Sequence, residues 1–157
     1  MGQKWGIRHF QNPDGTLTAE GKRRYGDISV KSKEYANKLD TYAKYKDMKK
    51  NRKALGLSKS DVKNAKKEYK KANREYLDKN WEVENELDDR ISPMDRALID
   101  LEGWDDAVDY VTNHNITYEQ AIARVKEETY ERKAAKLINA VQKKVDDYLD
   151  SDDDLDW

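Results

Sequence analysis

The sequence has no cysteine, a single phenylalanine, two prolines and seven glycines among its 157 residues. The lack of cysteine excludes disulfides, thiolate metal sites and a cysteine nucleophile. So few turn-forming residues disfavour a sandwich or barrel of many short strands. No apolar run approaches the ~18 residues that a membrane span requires, so we predict no membrane contact.

Charge is what the sequence has in excess. Charged residues make up 40% of the chain, against about 25% in an ordinary globular protein. Residues 1–80 hold 22 Lys and Arg against 10 Asp and Glu, whereas residues 81–157 hold 9 against 22. The front half therefore carries a net charge of +12 and the back half −13. Long helices with narrow apolar stripes suit this composition, because they need little core per residue.

Apolar residues at helical spacing predict an all-α fold built on a long, coiled-coil-like antiparallel hairpin over residues 32–90. The first helix should run over residues 32–55 and stop at Gly56. The second should run over residues 59–90 along a heptad-like seam. The seam residues are Val62, Ala65, Tyr69, Ala72, Tyr76, Val83 and Leu87. The short link between the two helices favours antiparallel packing.

A helical body is predicted over residues 29–150, with short helices over residues 93–112 after the hairpin. Ser92 followed by Pro93 is a strong helix start, because Ser caps the helix and Pro suits its first position. Gly103 should end that first short helix, and a second short helix should follow it.

The last helix should cover residues 118–149, because Thr117 and Gln120 form a capping box at its start. Its apolar stripe continues to Leu149, and the helix could pack back on the hairpin. Residues 151–157 are rich in Asp and are predicted to form a disordered acidic tail, since their charges repel one another.

The first 28 residues form a distinct Gly-rich, basic module. Asn12-Pro13-Asp14-Gly15 has the residue types of a tight turn, in which Pro presets φ and Gly accepts a positive φ. The flanking residues 5–10 and 16–18 could pair as a short hairpin, and Thr18 should cap a short helix. The module buries too little to be stable alone, so we expect it to dock on the helical body or on a partner.

Residues 3–26 read QKWGIRHFQNPDGTLTAEGKRRYG. This segment resembles a short module of tailed-phage and prophage proteins of Gram-positive bacteria, with the pattern K-W-G-x-R-x-[FY]-Q-N-x-D-G-[ST]-L-T-x-x-G-x-x-R-[FY]. Many carriers of that module look like head or other virion-morphogenesis proteins. The resemblance implies a phage origin, and a location in the host cytoplasm or in the virion. The candidate contact residues of the module are Trp5, Arg8, Phe10, Asp14, Gly15, Arg24 and Tyr25.

The pattern of polar residues does not predict an enzyme. The two histidines, His9 and His114, lie in separate segments without a metal-binding spacing. No serine sits in a Gly-flanked nucleophile turn, and no phosphate-binding glycine pattern occurs. Asp150, Asp152 and Asp154 resemble the start of a calcium loop but lack its later Gly and Glu. We therefore predict no catalytic residue, no metal site and no cofactor.

Lysines and arginines crowd the hairpin and form a candidate surface for phosphate contact. Its residues are Lys49, Lys50, Arg52, Lys63, Lys66, Lys67, Lys70, Lys71 and Arg74. The plainer interpretation of this surface is the solvated exterior of a coiled coil.

The back half of the chain offers a candidate acidic surface. Its residues are Glu82, Glu84, Glu86, Asp88, Asp89, Asp152, Asp153 and Asp154. A helix rich in carboxylates can imitate the charge of a phosphate backbone and bind a basic groove. The plainer interpretation is again a solvated face.

Three function hypotheses follow, all for a protein that is not an enzyme. The first is a phage virion structural or morphogenesis accessory that acts by protein–protein contacts, with a phage structural protein as partner or with itself as a homo-oligomer. The second is a phage-encoded inhibitor of a host nucleic-acid-targeting defence enzyme, of the anti-CRISPR type, acting as a nucleic-acid mimic. The third is a nucleic-acid-binding protein that uses the basic hairpin.

Overall fold

The computed structural model describes residues 6–154, and within that range it contains six α-helices and no β-strand. The helices are α1 (Ala19–Tyr25), α2 (Lys33–Lys50), α3 (Lys59–Arg90), α4 (Pro93–Leu98), α5 (Leu101–His114) and α6 (Tyr118–Asp154). A short 3-10 helix, Gly6–Phe10, precedes them. The predicted all-α fold is confirmed. Within the described range, none of these helices is long and apolar enough to cross a membrane.

Helices α2 and α3 form the predicted antiparallel hairpin. Glu34, at the start of α2, accepts a 3.0 Å hydrogen bond from Lys79 in the second half of α3. Farther along α2, Lys44 donates a 3.3 Å bond to Glu68, which precedes Lys79 in α3. The two helices therefore run in opposite directions. Tyrosine rings pack in the seam: Tyr35 with Tyr76, and Tyr42 with Tyr69.

Helix α2 ends at Lys50, earlier than the predicted end near Leu55. Asn51 forms its C-terminal cap, and Gly56 adopts a φ of +67° in the turn that reverses the chain. Leu55 is exposed, so no packing stabilises a further helical turn there. Ser58 then caps α3 as the sequence predicts.

The hydrophobic core lies at the base of the hairpin, between residues of α3, α5 and α6. Its buried members are Val83, Leu87, Ile91, Ile99, Ala107, Val108, Val111, Ile116, Ala121 and Val125. Toward the tip, α3 buries only Ala65 and Ala72, and α2 buries no residue. Most of the hairpin is therefore a two-helix rod that projects from the core.

Gly103 does not end a helix, contrary to the sequence prediction. Helix α4 stops at Leu98, and α5 begins at Leu101 with Asp100 as its N-cap, so Gly103 lies inside the first turn of α5. A Cβ atom at Gly103 would lie 2.7 Å from the hydroxyl oxygen of Thr129 in α6. Gly103 therefore allows α5 to pack closely against α6, and it does not end a helix.

Helix α6 has two halves with different surroundings. Its first half packs against α5, and Ala121 and Val125 are fully buried. Every residue from 135 to 151 is exposed, so the expectation that the last helix packs back on the hairpin is wrong for this half. The helix extends through Asp154, four residues into the segment predicted as an acidic tail, and residues 155–157 of that segment lie outside the described residues.

The N-terminal module folds onto α6. The N–H of Gly15 donates a 2.9 Å hydrogen bond to the carbonyl of Asn12, which confirms the predicted turn. The predicted hairpin is reduced to one antiparallel bridge, Gln11 with Leu17. The reason is that Gly6–Phe10 is wound as a 3-10 helix and leaves no extended strand to pair.

Candidate interaction surfaces

The basic residues in the first half of α3, from Lys59 to Arg74, share one face of the helix. At 3.6 residues per turn they fall within a sector of about 140°. They are Lys59, Lys63, Lys66, Lys67, Lys70, Lys71 and Arg74. Ala65 and Ala72, which are buried against α2, lie on the opposite side of α3. The α3 part of the predicted basic surface thus lies on the outer face of the hairpin, and all seven of these residues are exposed.

A shallow groove of about 320 Å³ lies beside this face at the hairpin tip. Tyr45 of α2 and Val62 of α3 give it an apolar floor. Five cations line it: Lys49, Arg52, Lys59, Lys63 and Lys66. Among residues 6–151, whose side chains the structure describes, no carboxylate oxygen lies within 4.0 Å of any of the five. We name this feature the tip groove.

The tip groove brings together only four of the nine predicted basic residues: Lys49, Arg52, Lys63 and Lys66. Lys71 lies on the other flank of the hairpin, in a second groove with Glu68 and Glu75. The remaining predicted residues are Lys50, Lys67, Lys70 and Arg74, which are exposed outside the groove.

Sequence reasoning missed Tyr45, Lys59 and Val62 as groove residues. Lys59 could have been found, because it precedes Lys63 by four positions and therefore shares its helical face. Tyr45 and Val62 could not have been assigned to a groove, because the groove exists only where α2 packs on α3.

The predicted acidic residues do not form one surface. By helical spacing, Glu82, Glu86 and Asp89 share one side of α3, whereas Glu84 and Asp88 point to another. Glu86 is also paired with Arg90 at 2.6 Å. Asp152, Asp153 and Asp154 occupy the last turn of α6. That turn is about 50 Å along the helix from Glu119, at 1.5 Å per residue, and Glu119 is one of two α6 residues that contact Arg90.

The second half of α6 carries an unpartnered apolar stripe. We call residues 133–154 the α6 arm. Its exposed apolar residues are Leu137, Ile138, Val141, Val145, Tyr148 and Leu149. Leu137 and Ile138 are each 67% exposed. The sequence predicts these residues as an apolar stripe. In the structure, no residue in the range 6–151 covers this stripe.

A buried arginine holds the N-terminal module on α6. The Arg124 guanidinium donates 3.4 Å hydrogen bonds to the carbonyls of Tyr25 and Gly26. It also donates to Glu128, which accepts a further bond from the Tyr110 hydroxyl at 2.7 Å. Burial and this carboxylate raise the pKa of Tyr110 above its usual range. The site is a structural joint between the module and α6.

The candidate contact residues of the module serve mainly to build it. Tyr25 is buried, Phe10 packs against it edge to face, and Arg24 lies over both rings. Asp14 accepts hydrogen bonds from the hydroxyl and the N–H of Thr16, and these bonds lower the pKa of Asp14. Of the other candidate residues, Arg8 is exposed, Gly15 lies in the turn at φ +88°, and Trp5 lies outside the described residues.

A second polar joint fixes α5 against the middle of α6. Asp100 accepts hydrogen bonds from Arg132 at 2.6 and 3.2 Å, from Thr129 at 3.2 Å and from the Gly103 N–H at 2.7 Å. The Arg132 guanidinium is the main reason that the pKa of Asp100 falls to about 2. This joint is where the packed half of α6 ends and the α6 arm begins.

Comparison with protein families, with characterised proteins and with solved structures found no match to this chain.

Proposed function

We propose that the protein is a phage-encoded virion structural or morphogenesis accessory that acts by protein–protein contacts and not by catalysis. The α6 arm is the observation that carries this proposal. Monomeric proteins rarely leave a contiguous apolar patch exposed unless it binds something. The resemblance of residues 3–26 supports the phage origin, and it would place the protein in the host cytoplasm during assembly or in the particle afterwards.

The length of the α6 arm adds a second argument. A helix in a protein gains most of its stability from the packing of an apolar face and not from the intrinsic helix propensity of its residues. An arm of more than five turns with no packing from the rest of the described chain is best explained as a segment that is stabilised when its apolar face is covered. Val141 and Val145 lie at the centre of that face.

The test is whether the arm carries the protein into particles. A tagged chain is produced during growth of a phage that encodes it, and purified particles are analysed for the tag. We expect the wild-type protein in particles or in assembly intermediates, and loss of that association in the double variant Val141→Asp, Val145→Asp. Ala140→Asp, on the opposite side of the same helix, is the matched control. A protein absent from particles and intermediates at every stage would refute the proposal.

A second candidate function is contact with nucleic acid through the tip groove. Five cations without carboxylate partners around an apolar floor suit a phosphate backbone with a base or sugar against Tyr45. If this is the function, the affinity for a labelled oligonucleotide should fall steeply as salt rises, because roughly one counterion is released for each phosphate that the protein neutralises.

Two triple variants separate the tip groove from general positive charge. Reversal of Lys59, Lys63 and Lys66 to Glu should abolish oligonucleotide binding. Reversal of Lys67, Lys70 and Lys71, outside the groove, should weaken it less. An absence of binding by the wild-type protein at low salt removes this candidate.

Inhibition of a host defence enzyme of the anti-CRISPR type, by imitation of nucleic acid, has less support. It requires a continuous acidic surface, and the carboxylates of α3 face two directions. Recovery of a nucleic-acid-processing enzyme with the protein from host cells, lost when Glu82, Glu86 and Asp89 are neutralised, would revive it.

A further inference from the structure

We infer that the α6 arm pairs with the α6 arm of a second copy of this chain, with the two helices antiparallel. This inference rests on the proposed function and deepens it, because it identifies the partner of the apolar stripe. It follows from two patterns within the arm: the spacing of its apolar residues and the order of its charges along the helix.

The spacing is that of a two-helix coiled coil. Ala134, Ile138, Val141, Val145 and Tyr148 follow one another at intervals of four, three, four and three residues. This is the alternation of core positions in a heptad repeat, and it forms one narrow seam on a straight helix. Leu137 and Leu149, the other two exposed apolar residues of the arm, lie at the two edges of this seam, so a single partner helix packed along the seam would contact them as well.

The charges favour a second copy as the partner. Residues 133–144 include four lysines and no acidic residue, whereas residues 145–154 include six aspartates and no basic residue. A parallel pair would set aspartate beside aspartate along its second half. An antiparallel pair sets the lysine half of each arm beside the aspartate half of the other, within the ~10 Å over which charges interact at 0.1 M salt. The arm is thus complementary to itself in the antiparallel direction alone.

One antiparallel register satisfies both patterns. When Val141 of one protomer meets Val145 of its partner, Ile138 meets Tyr148 on either side of these two pairs. Ala134, the first residue of the seam, comes level with Asp152 at the two outer ends. Core positions of the two kinds then alternate across the interface, as antiparallel coiled coils require. Lys136 of each protomer also comes level with Asp150 of its partner.

The first experiment is sedimentation equilibrium of the full chain over a range from micromolar to near-millimolar concentration. We expect a reversible dimer, which dissociates as salt rises because the attraction between the lysine and aspartate halves is screened. Val141→Asp with Val145→Asp should give a monomer at every concentration, and Ala140→Asp should dimerise as the wild type does. A wild-type chain that stays monomeric throughout overturns the inference.

The second experiment determines the orientation, and the natural absence of cysteine makes it direct. Ile138→Cys and Tyr148→Cys are prepared as separate single variants. In the antiparallel register, identical positions are about 15 Å apart along the axis at 1.5 Å per residue, too far for a disulfide. We therefore expect covalent dimers only when the two variants are mixed. Covalent dimers in each variant alone would indicate parallel arms and overturn the inference.

The outcomes distinguish this inference from the proposed function. A monomeric protein that still enters particles, and loses that association in the Val141→Asp, Val145→Asp variant, keeps the proposed function but gives the arm a different partner. A dimer that is never found in particles or intermediates supports the antiparallel arms and refutes the virion role.

Discussion

The two halves of α6 share one sequence pattern and have opposite environments. Both have apolar residues at intervals of three and four. Val125, in the packed half, is 0% exposed, whereas Val141, in the α6 arm, is 54% exposed. Amphipathic periodicity therefore indicates that a helix face will be covered, but not whether the cover comes from the same chain. The difference can be tested by making the same changes on each side of the polar joint at Arg132.

The largest contrast is expected from a buried charge. Val125→Asp places a carboxylate in the core without a partner, which costs several kcal/mol and should abolish cooperative unfolding. Val141→Asp changes an exposed position and should leave the free energy of unfolding of the core within about 0.5 kcal/mol of the wild type. Urea denaturation followed by circular dichroism, at a concentration low enough to give monomers, measures both. Equal losses in the two variants would contradict the division of α6 into two halves.

A methyl group at the α5–α6 contact should have the next largest effect. Gly103→Ala brings a Cβ atom against Thr129, Ile99 and Asp100, and overpacking of this kind costs about 1–3 kcal/mol. Thermal unfolding of Gly103→Ala, of Thr129→Ala and of the double variant forms a double-mutant cycle. We expect a double variant more stable than the sum of the single effects predicts. If the two single effects on stability simply add in the double variant, the contact between residues 103 and 129 does not limit the packing of α5 against α6.

The joint at Asp100 predicts a dependence of stability on pH. Its pKa is about 2 in the folded protein, below the ~3.9 of an unfolded chain. The ionised carboxylate therefore stabilises the fold above about pH 4, and this stabilisation is lost as the pH falls toward 2. Since the pair is partly solvated, we expect about 1 kcal/mol.

Asp100→Asn should flatten that part of the stability profile, as measured by urea denaturation from pH 2 to pH 7. Asp106→Asn is the control, and its effect on stability should have the opposite sign, because burial raises the pKa of Asp106. Removal of its carboxylate charge should raise stability at neutral pH. An Asp100→Asn profile parallel to that of the wild type would show that the Arg132 pair does not contribute.

Removal of the α6 arm should have the smallest effect on the fold. A chain that ends at Arg132 keeps the core, the tip groove and both polar joints. Its free energy of unfolding should stay within about 0.5 kcal/mol of that of the monomeric full chain. A large loss of stability would show that the arm contributes to the fold of its own chain, contrary to its exposure.

Local signals in the sequence predicted the helices well, because helix starts are determined by residues within one turn. Ser58 with Asp61, and Thr117 with Gln120, form reciprocal capping hydrogen bonds. Gly103 misled the prediction, because a glycine that ends a helix and one that admits a neighbouring helix look alike in sequence. Only the position of Thr129, in a distant helix, distinguishes them.

The candidate surfaces were predicted less completely. The basic face of α3 could be read from its helical spacing, but the tip groove requires Tyr45 and Val62 from two packed helices. The stripe of the α6 arm was visible in the sequence, while its exposure was not. Burial depends on which face another helix reaches, and short-range patterns do not contain that information.

The joint at Arg124 also sets an order on folding during synthesis. The carbonyls of Tyr25 and Gly26 accept hydrogen bonds from Arg124, which follows them in the chain by 99 and 98 residues. At about 5–20 residues per second, a ribosome needs roughly 5–20 s to make that stretch. The segment that ends at Gly26 therefore leaves the ribosome well before Arg124 and cannot dock until α6 has been made. A nascent chain exposes that segment to other proteins during this interval.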